Sequence, residues 1–277
     1  MKFPLEFYKA AELIRSSDYL LITAGAGLGV DSGLPDFRSP QGFWKAYPPI
    51  SKLGLTFSET SNPQWFHKDP SFIWAFFGHR HQLYTSTTPH QGFSILKSWC
   101  QSKDYFIFTS NVDGQFQKSG FPETKIVECH GSINYLQCTE PHLCTLSLWP
   151  MTRLELDMNT FKAKSPLPNC INCGKLARPN ILMFGDYGWI PDRTEAQRDR
   201  FDESINSKKW KICVIEIGAG DSVYTVRALG EHFVYRHKAS FIRINPENEL
   251  TLNEGAHLKI GALEGLSILD NILKEIN

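Results

Sequence analysis

Four groups of residues in this chain are of a type and spacing that could do chemistry. His130 closes the short apolar run Ile126-Val127-Glu128-Cys129 and is followed at once by Gly131. An imidazole exchanges a proton near neutrality, so a histidine at a strand end suits a general base; a structural histidine satisfied by hydrogen bonds is the competing reading. Ser110, Asn111 and Asp113 follow the apolar run from Tyr105 to Thr109, placing polar groups where a cleft would open, although an Asx-type turn after a strand looks the same. Gly25-Ala26-Gly27-Leu28-Gly29 follows the β-prone run Tyr19 to Thr23. Glycines there let a backbone approach a pyrophosphate without a Cβ clash, and a helix starting at that point would add amide donors and a favourable dipole. Cys170-x-x-Cys173 has zinc-knuckle spacing, and Cys138 and Cys144 form a looser pair upstream. Cys138, Cys144, Cys170 and Cys173 would make a closed tetrahedral site, hence a structural zinc without an open position for water. His142 in place of Cys144 is the second choice, and free thiols the third.

The elements that must position these groups alternate. Helical spacing covers Leu5 to Arg15, Phe93 to Cys100 and about Gly261 to Glu275; strands are expected at 19–23, 105–109, 126–129, 181–184, 211–217 and 241–244. Strands alternating with helices predict an α/β fold with a mostly parallel sheet. Residues 43–84, broken by Pro48, Pro49 and Pro63 and rich in aromatics, read as loops and helices inserted after the first strand. The glycine turn is not a dehydrogenase fingerprint: Val30 stands where the third glycine belongs, and Lys45 to Pro49 carries no acid for a ribose, which disfavours hydride transfer.

Composition narrows the classes further. The chain has 277 residues, 42% hydrophobic and 21% charged, with zero formal net charge. That is ordinary globular make-up, and it argues against a nucleic-acid binder relying on bulk positive charge. No stretch reaches the roughly 18 apolar residues of a membrane span, and the N-terminal segment lacks a secretory h-region. Seven cysteines, an odd count without a signal, favour a reducing compartment; Cys100, Cys129 and Cys213 sit in apolar runs and read as core. A cytoplasmic monomer is the expectation.

The stretch Gly25 to Arg38, reading GAGLGVDSGLPDFR, closely resembles the sirtuin (Sir2-like) signature. Thr109-Ser110-Asn111-Val112-Asp113, His130-Gly131, the cysteine pairs, Arg178-Pro179-Asn180-Ile181-Leu182-Met183-Phe184-Gly185-Asp186, Gly218-Ala219-Gly220 and Ile244-Asn245 resemble that family in the right order, over nearly the whole chain. The resemblance implies a Rossmann-like NAD-binding domain (1–40, 88–135 and 176–277) carrying a smaller domain made of a helical insert (41–87) and a zinc-binding insert (136–175). NAD and an acylated lysine of a protein substrate would meet between them. The acyl group would pass to ADP-ribose as nicotinamide leaves, with His130 as base and Asn111 beside it.

Further roles are implied by the same likeness. Gly25, Ala26, Gly27, Asp36, Phe37, Arg38, Ser110, Asn111, Asp113, Gly218, Ala219, Gly220, Asn245 and Ala262 would hold NAD. Met183, Phe184 and Gly185 would hold the substrate peptide as an added strand. Phe77-Gly78-His79-Arg80 is similar to the Tyr-x-x-Arg pair of acidic-acyl sirtuins, so Phe77 and Arg80 would line the acyl pocket, Arg80 meeting a terminal carboxylate; a core Phe77 and a solvated Arg80 are the alternative. The chain departs from the pattern at Gly29, at Ser110 in place of glutamine, at Ala219-Gly220 in place of Thr-Ser, and at Asp186 in place of glutamate. Mono-ADP-ribosyl transfer or NAD hydrolysis by the same cleft is the competing activity, and an NAD-sensing module without turnover the third.

Overall fold

The computed structural model describes residues 2–35, 40–221, 223–247, 252 and 255–276. Six strands form a parallel sheet: β1 (Tyr19–Ala24), β2 (Asp104–Thr109), β3 (Ile126–Glu128), and, after β4 (Gly131–Cys138) and β5 (Ala177–Ile181) of a second sheet and some two-residue strands left unnumbered, β6 (Ile212–Ile217), β7 (Ser240–Ile244) and β8 (Ala256–Leu258). Their order is β8-β7-β6-β1-β2-β3. All six residues of β1 and all six of β6 are buried, because helices cover both faces and such a strand is mostly apolar; the buried Glu216 of β6 is paired with Arg243. One face packs against α1 (Leu5–Ser16), α3 (Gln91–Trp99) and α6 (Ala262–Ile276) through Ile14, Leu96, Leu269 and Ile272. The other packs against α4 (Asp192–Asn206) and α5 (Thr225–His237) through Phe201, Ile205, Val226 and Phe233.

The order of β3-β2-β1-β6-β7-β8 reverses direction between β1 and β6. In doubly wound sheets the ligand crevice opens there, beyond the carboxyl ends of the strands. Here those ends lead into Gly25 and Gly218.

A second core joins the helical insert to a three-stranded antiparallel sheet. The insert's main helix, α2 (Pro70–Ser86), starts with Pro70 at its first turn and with the Asp69 carboxylate accepting from Phe72 N–H at 3.1 Å. It buries residues on every side, Trp74, Phe76 and Phe77 among them, so it runs through this core. The sheet pairs β4 (Gly131–Cys138) with β5 (Ala177–Ile181), from Gly131 opposite Ile181 to Cys138 opposite Ala177, with a register shift between Ser132 and Leu136. Gly131, Ser132 and residues 177–181, grouped above with the parallel-sheet domain, thus pair within the smaller sheet, 131–132 with 180–181 and 177–179 with 136–138. The strand expected at 181–184 lies instead at Ala177–Ile181. Past Ile181 the amides turn to other partners: Leu182 N–H donates to the His130 carbonyl and Phe184 N–H to the Ser61 carbonyl. Among the described residues, no helix is long and apolar enough to cross a membrane.

Candidate active site

The glycine turn is built by two close approaches. A Cβ on Gly25 would lie 2.7 Å from both Ala219 Cα and the Gly218 oxygen, and one on Gly218, at φ +61°, would lie 2.4 Å from Leu28 N. Only glycine fits at either place. Gly25 N–H donates to the Ile217 carbonyl and Gly27 N–H to the Gly218 carbonyl, both at 3.0 Å, locking the two turns together at the switch point. The helix expected after this turn is a single 3₁₀ segment, Ala26–Ser32.

Over the turns opens a cavity of about 860 Å³. Gly25, Ala26, Ser110, Asn111, Asp113, His130, Ala219 and Gly220 line it from the parallel-sheet side, and Arg80, Met183 and Phe184 from the other. Asn111 donates through Nδ2 to the Gly25 carbonyl at 3.0 Å, and its own N–H goes to Thr109 Oγ1 at 3.0 Å, so its side chain is fixed against the turn. Asn245, buried behind it, donates to the Ala219 carbonyl at 2.8 Å. Gly27 and Gly218 form the backbone beneath the cavity floor, and Ala262 is buried at the first turn of α6. Gly185 lies at an exposed turn with φ +66°. Asp36, Phe37 and Arg38 lie outside the described residues.

Phe77 is not brought to the cavity. It is fully buried among the aromatics of the second core, stacked on Phe66 with ring centroids 5.9 Å apart. A side chain three residues before Arg80 on this helix faces the core because α2 is enclosed all round. Arg80 does line the cavity although only 6% exposed, its Nε donating to the Tyr84 hydroxyl at 3.0 Å and its guanidinium lying over the rings of Phe57, Phe76, Phe77 and Tyr84. Tyr84 lines the cavity too, one helical turn on. The signal was the i,i+4 spacing of Arg80 and Tyr84, which share a helix face. Thr225, at the start of α5, was likewise missed; its hydroxyl is 3.4 Å from His130 Nε2.

Electrostatics follow from this enclosure. Burial lowers the His130 imidazole below its ordinary value; the Ser110 carbonyl, which accepts from the ring, opposes this, and Arg198 adds to it. The lowered value favours the neutral ring, whose nitrogen away from the Ser110 carbonyl lies beside the Thr225 hydroxyl and can take a proton. Asp113 is pushed up to about 6, first by desolvation and then by Glu128, while the Gln115 N–H and Arg80 pull it down.

In the antiparallel module the four sulfurs of Cys138, Cys144, Cys170 and Cys173 lie within 4.8 Å of one another, with Cys138–Cys173 and Cys144–Cys170 both at 3.6 Å. A zinc ion with bonds of about 2.3 Å in tetrahedral geometry separates its sulfurs by about 3.8 Å, so this cluster fits the ion. Burial raises the Cys170 thiol, but the N–H groups of Cys173 and Asn172 bring it down to about 7, toward the thiolate a metal requires. His142 is not part of the cluster, which Cys144 completes.

The family model of the Sir2 family matches residues 25–224, the span from the first glycine turn to the start of α5. This chain belongs to the Sir2 family. Among relatives of this Sir2 chain, an NAD-dependent protein deacetylase of Saccharolobus solfataricus is 32% identical over 219 residues, 79% of this chain and 77% of that protein. NAD-dependent protein deacylase 1 of Archaeoglobus fulgidus is 28% identical over 276 residues, 97% of each chain. A solved Sir2 homologue–NAD complex superposes with a TM-score of 0.73 at 24% identity, covering 98% of this chain and 95% of the other, and a mutant Sir2 homologue–ADP-ribose complex does so with 0.73 at 24%, covering 96% of each. Those likenesses show a shared fold: a Rossmann-like parallel sheet with a smaller inserted zinc-binding and helical part.

Proposed function

We propose that this Sir2 chain is an NAD-dependent protein-lysine deacylase that passes the acyl group of a substrate lysine to ADP-ribose and releases nicotinamide. One observation carries the reading: a neutral, buried imidazole, His130, faces the same cavity as the two glycine turns and the polar pair Asn111 and Asp113. Bound NAD supplies a ribose carbon that becomes open to attack by the acyl oxygen as nicotinamide departs. The chain's own part is positional and protolytic. The backbone at Gly25, Ala26, Ala219 and Gly220 receives the phosphates without side-chain interference. Asn111 and Ser110 address the ribose, and Asp113, whose carboxyl is pushed up to about 6 by burial, addresses the carboxamide. His130 takes a ribose hydroxyl proton on the nitrogen that does not face the Ser110 carbonyl. Asn245 and Ala262 back the adenosine half. Met183, Phe184 and Gly185 support the peptide, with the structural zinc module behind them.

The experiment is to mix protein, NAD and an acetyl-lysine peptide and follow nicotinamide and acyl-ADP-ribose by mass spectrometry. Acyl-ADP-ribose formed only with peptide, and lost in His130→Ala, is expected. Nicotinamide release without peptide would assign the cleft to NAD hydrolysis or mono-ADP-ribosyl transfer instead. Arg80 and Tyr84 favour a finer reading, acyl groups ending in a carboxylate such as succinyl or malonyl. Arg80→Met should then cut turnover of succinyl-lysine peptide far more than of acetyl-lysine peptide, and equal losses refute that preference. The zero net charge argues against a nucleic-acid partner held by bulk charge, and the thiols outside disulfides support a reducing compartment such as the cytoplasm.

A further inference from the structure

After β5 the chain does not run on as a strand, and one buried ion pair dictates its path. The side chains of Arg178 and Asp186 are 3% and 0% exposed. Arg178 Nη1 donates to Asp186 Oδ1 at 2.9 Å, and Nη2 donates both to Asp186 Oδ2 and, at 2.8 Å, to the Ile181 carbonyl that ends the strand. The same carboxylate accepts the N–H of Met183 and that of Gly188, each at 3.1 Å. Residues 183–188 are thereby wound around a single carboxylate, with Gly185 in the left-handed region to close the turn.

This wound segment is tied outward at two points. Leu182 N–H donates to the His130 carbonyl at 3.0 Å, and Phe184 N–H to the Ser61 carbonyl of the helical insert at 3.0 Å. Leu182, Met183 and Phe184 all line the cavity. The wall thus touches the backbone of the base on one side and the helical insert on the other. The glycine turns beneath the dinucleotide belong to the parallel sheet and receive nothing from this pair.

We infer that Arg178 and Asp186 are positioning residues for the acylated peptide: they set the Leu182–Phe184 wall relative to His130 and leave the dinucleotide half of the site untouched. The inference rests on the deacylase reading. A buried ion pair is weak evidence for stability as such, because an apolar pair of similar volume often serves a fold equally well. What an apolar pair cannot do is accept the Met183 and Gly188 amides and the turn they define. Asp186 stands one methylene short of the glutamate found in the related motif, and this compact turn uses that shorter reach.

The test compares Asp186→Asn and the apolar pair Arg178→Met/Asp186→Leu with the unmodified protein. Peptide KM and kcat are measured at saturating NAD, ADP-ribose Kd by calorimetry, and zinc content by metal analysis. The expected result is a rise of about tenfold or more in peptide KM in both, since a misplaced contact surface costs on that scale, with ADP-ribose Kd changed less than about twofold and zinc retained. Unchanged peptide KM in the folded apolar pair overturns the inference. So does equal weakening of both ligands, or failure of both variants to fold, either of which leaves the pair a role in stability only. An unmodified protein that turns over no acylated peptide defeats the deacylase reading itself, and the inference with it.

Discussion

Replacing Gly25 by alanine should damage the dinucleotide site and the fold together. The added Cβ would sit 2.7 Å from Ala219 Cα and from the Gly218 oxygen, about 0.7 Å short of the 3.4 Å at which ordinary contact begins. Both are backbone atoms, so no rotamer change relieves the clash, and the ends of β1 and β6 must part. Parting by that distance carries the 3.0 Å bonds from Gly25 N–H to Ile217 and from Gly27 N–H to Gly218 beyond normal hydrogen-bond length. Two bonds at about 1 kcal/mol each agree with the 1–3 kcal/mol that overpacking usually costs, so a loss of about 2 kcal/mol is expected. In a chain of this size that corresponds to a fall in Tm of about 4 °C or more. Asn111, whose Nδ2 is anchored on the Gly25 carbonyl, would shift as well, and ADP-ribose affinity should drop by about tenfold or more. Gly220→Ala provides the contrast: a Cβ there meets nothing within 4 Å, so its Tm should stay at the unmodified value. Scanning calorimetry and ADP-ribose titration read both variants. Normal Tm and affinity in Gly25→Ala would refute the claim that the two turns are locked by contact.

Other consequences are open to measurement. His130 has its pKa below the ordinary 6.5, so activity should persist as pH drops through that value and fail only below it. The linkage runs the same way: between the two pKa values the unfolded chain binds a proton that the folded one does not, so this histidine's share of stability falls as pH falls; a kcat profile with its acidic limb above 6.5 contradicts this. Asp113, raised to about 6, is costly when ionised, a cost that grows as pH rises through 6. Asp113→Asn should therefore gain more Tm relative to the unmodified protein at pH 8 than at pH 5, and a gain independent of pH would exclude the assignment. Cys144→Ser should lose zinc on dialysis while His142→Ala keeps it, because the cysteine and not the histidine completes the cluster; metal analysis showing the reverse would place the histidine in the site.

Legibility in the sequence was uneven, for physical reasons. The strands that became β1, β2, β6 and β7 were readable because a strand covered on both faces is mostly apolar; the buried exceptions, Glu216 of β6 and Arg243 of β7, pair with each other. β4 was not readable. Its residues Gly131 to Cys138, GSINYLQC, mix polar and apolar types without a regular period, yet Ser132 and Gln137 are buried. Gln137 is paid for in contacts remote in sequence: Nε2 donates to the Gly188 carbonyl, and Oε1 accepts from Asn180 and from Ile190 N–H. β5 was shifted by four residues because Arg178, Pro179 and Asn180 look like a loop; each is buried here by partners across the small sheet. At the site, the strand-end polar residues and the cysteines were placed by type and order. Phe77 was not, since the helix that carries it has no solvent face from which an inward and an outward side could be told apart.

The same contrast explains how the site is divided. The proposed dinucleotide floor is made of backbone: two glycine turns that tolerate no Cβ at Gly25 or Gly218, joined by main-chain hydrogen bonds. Ala219-Gly220, a departure from the related pattern, shortens the side chains at the cavity lining, while Gly29 packs on Leu34. The proposed peptide wall is held by one side-chain pair, Arg178–Asp186, whose carboxylate gathers the Met183 and Gly188 amides, and so depends on the identity of those two residues. His130 stands where the two meet. Its ring faces the cavity beside Thr225 and the Ser110 carbonyl, while its own carbonyl holds the first residue of the wall. A displacement of the wall therefore pulls on the backbone of the proposed base, whereas the floor holds Asn111 through the Gly25 carbonyl. Substitutions in the wall should consequently appear in peptide KM first, and substitutions in the floor in dinucleotide affinity first.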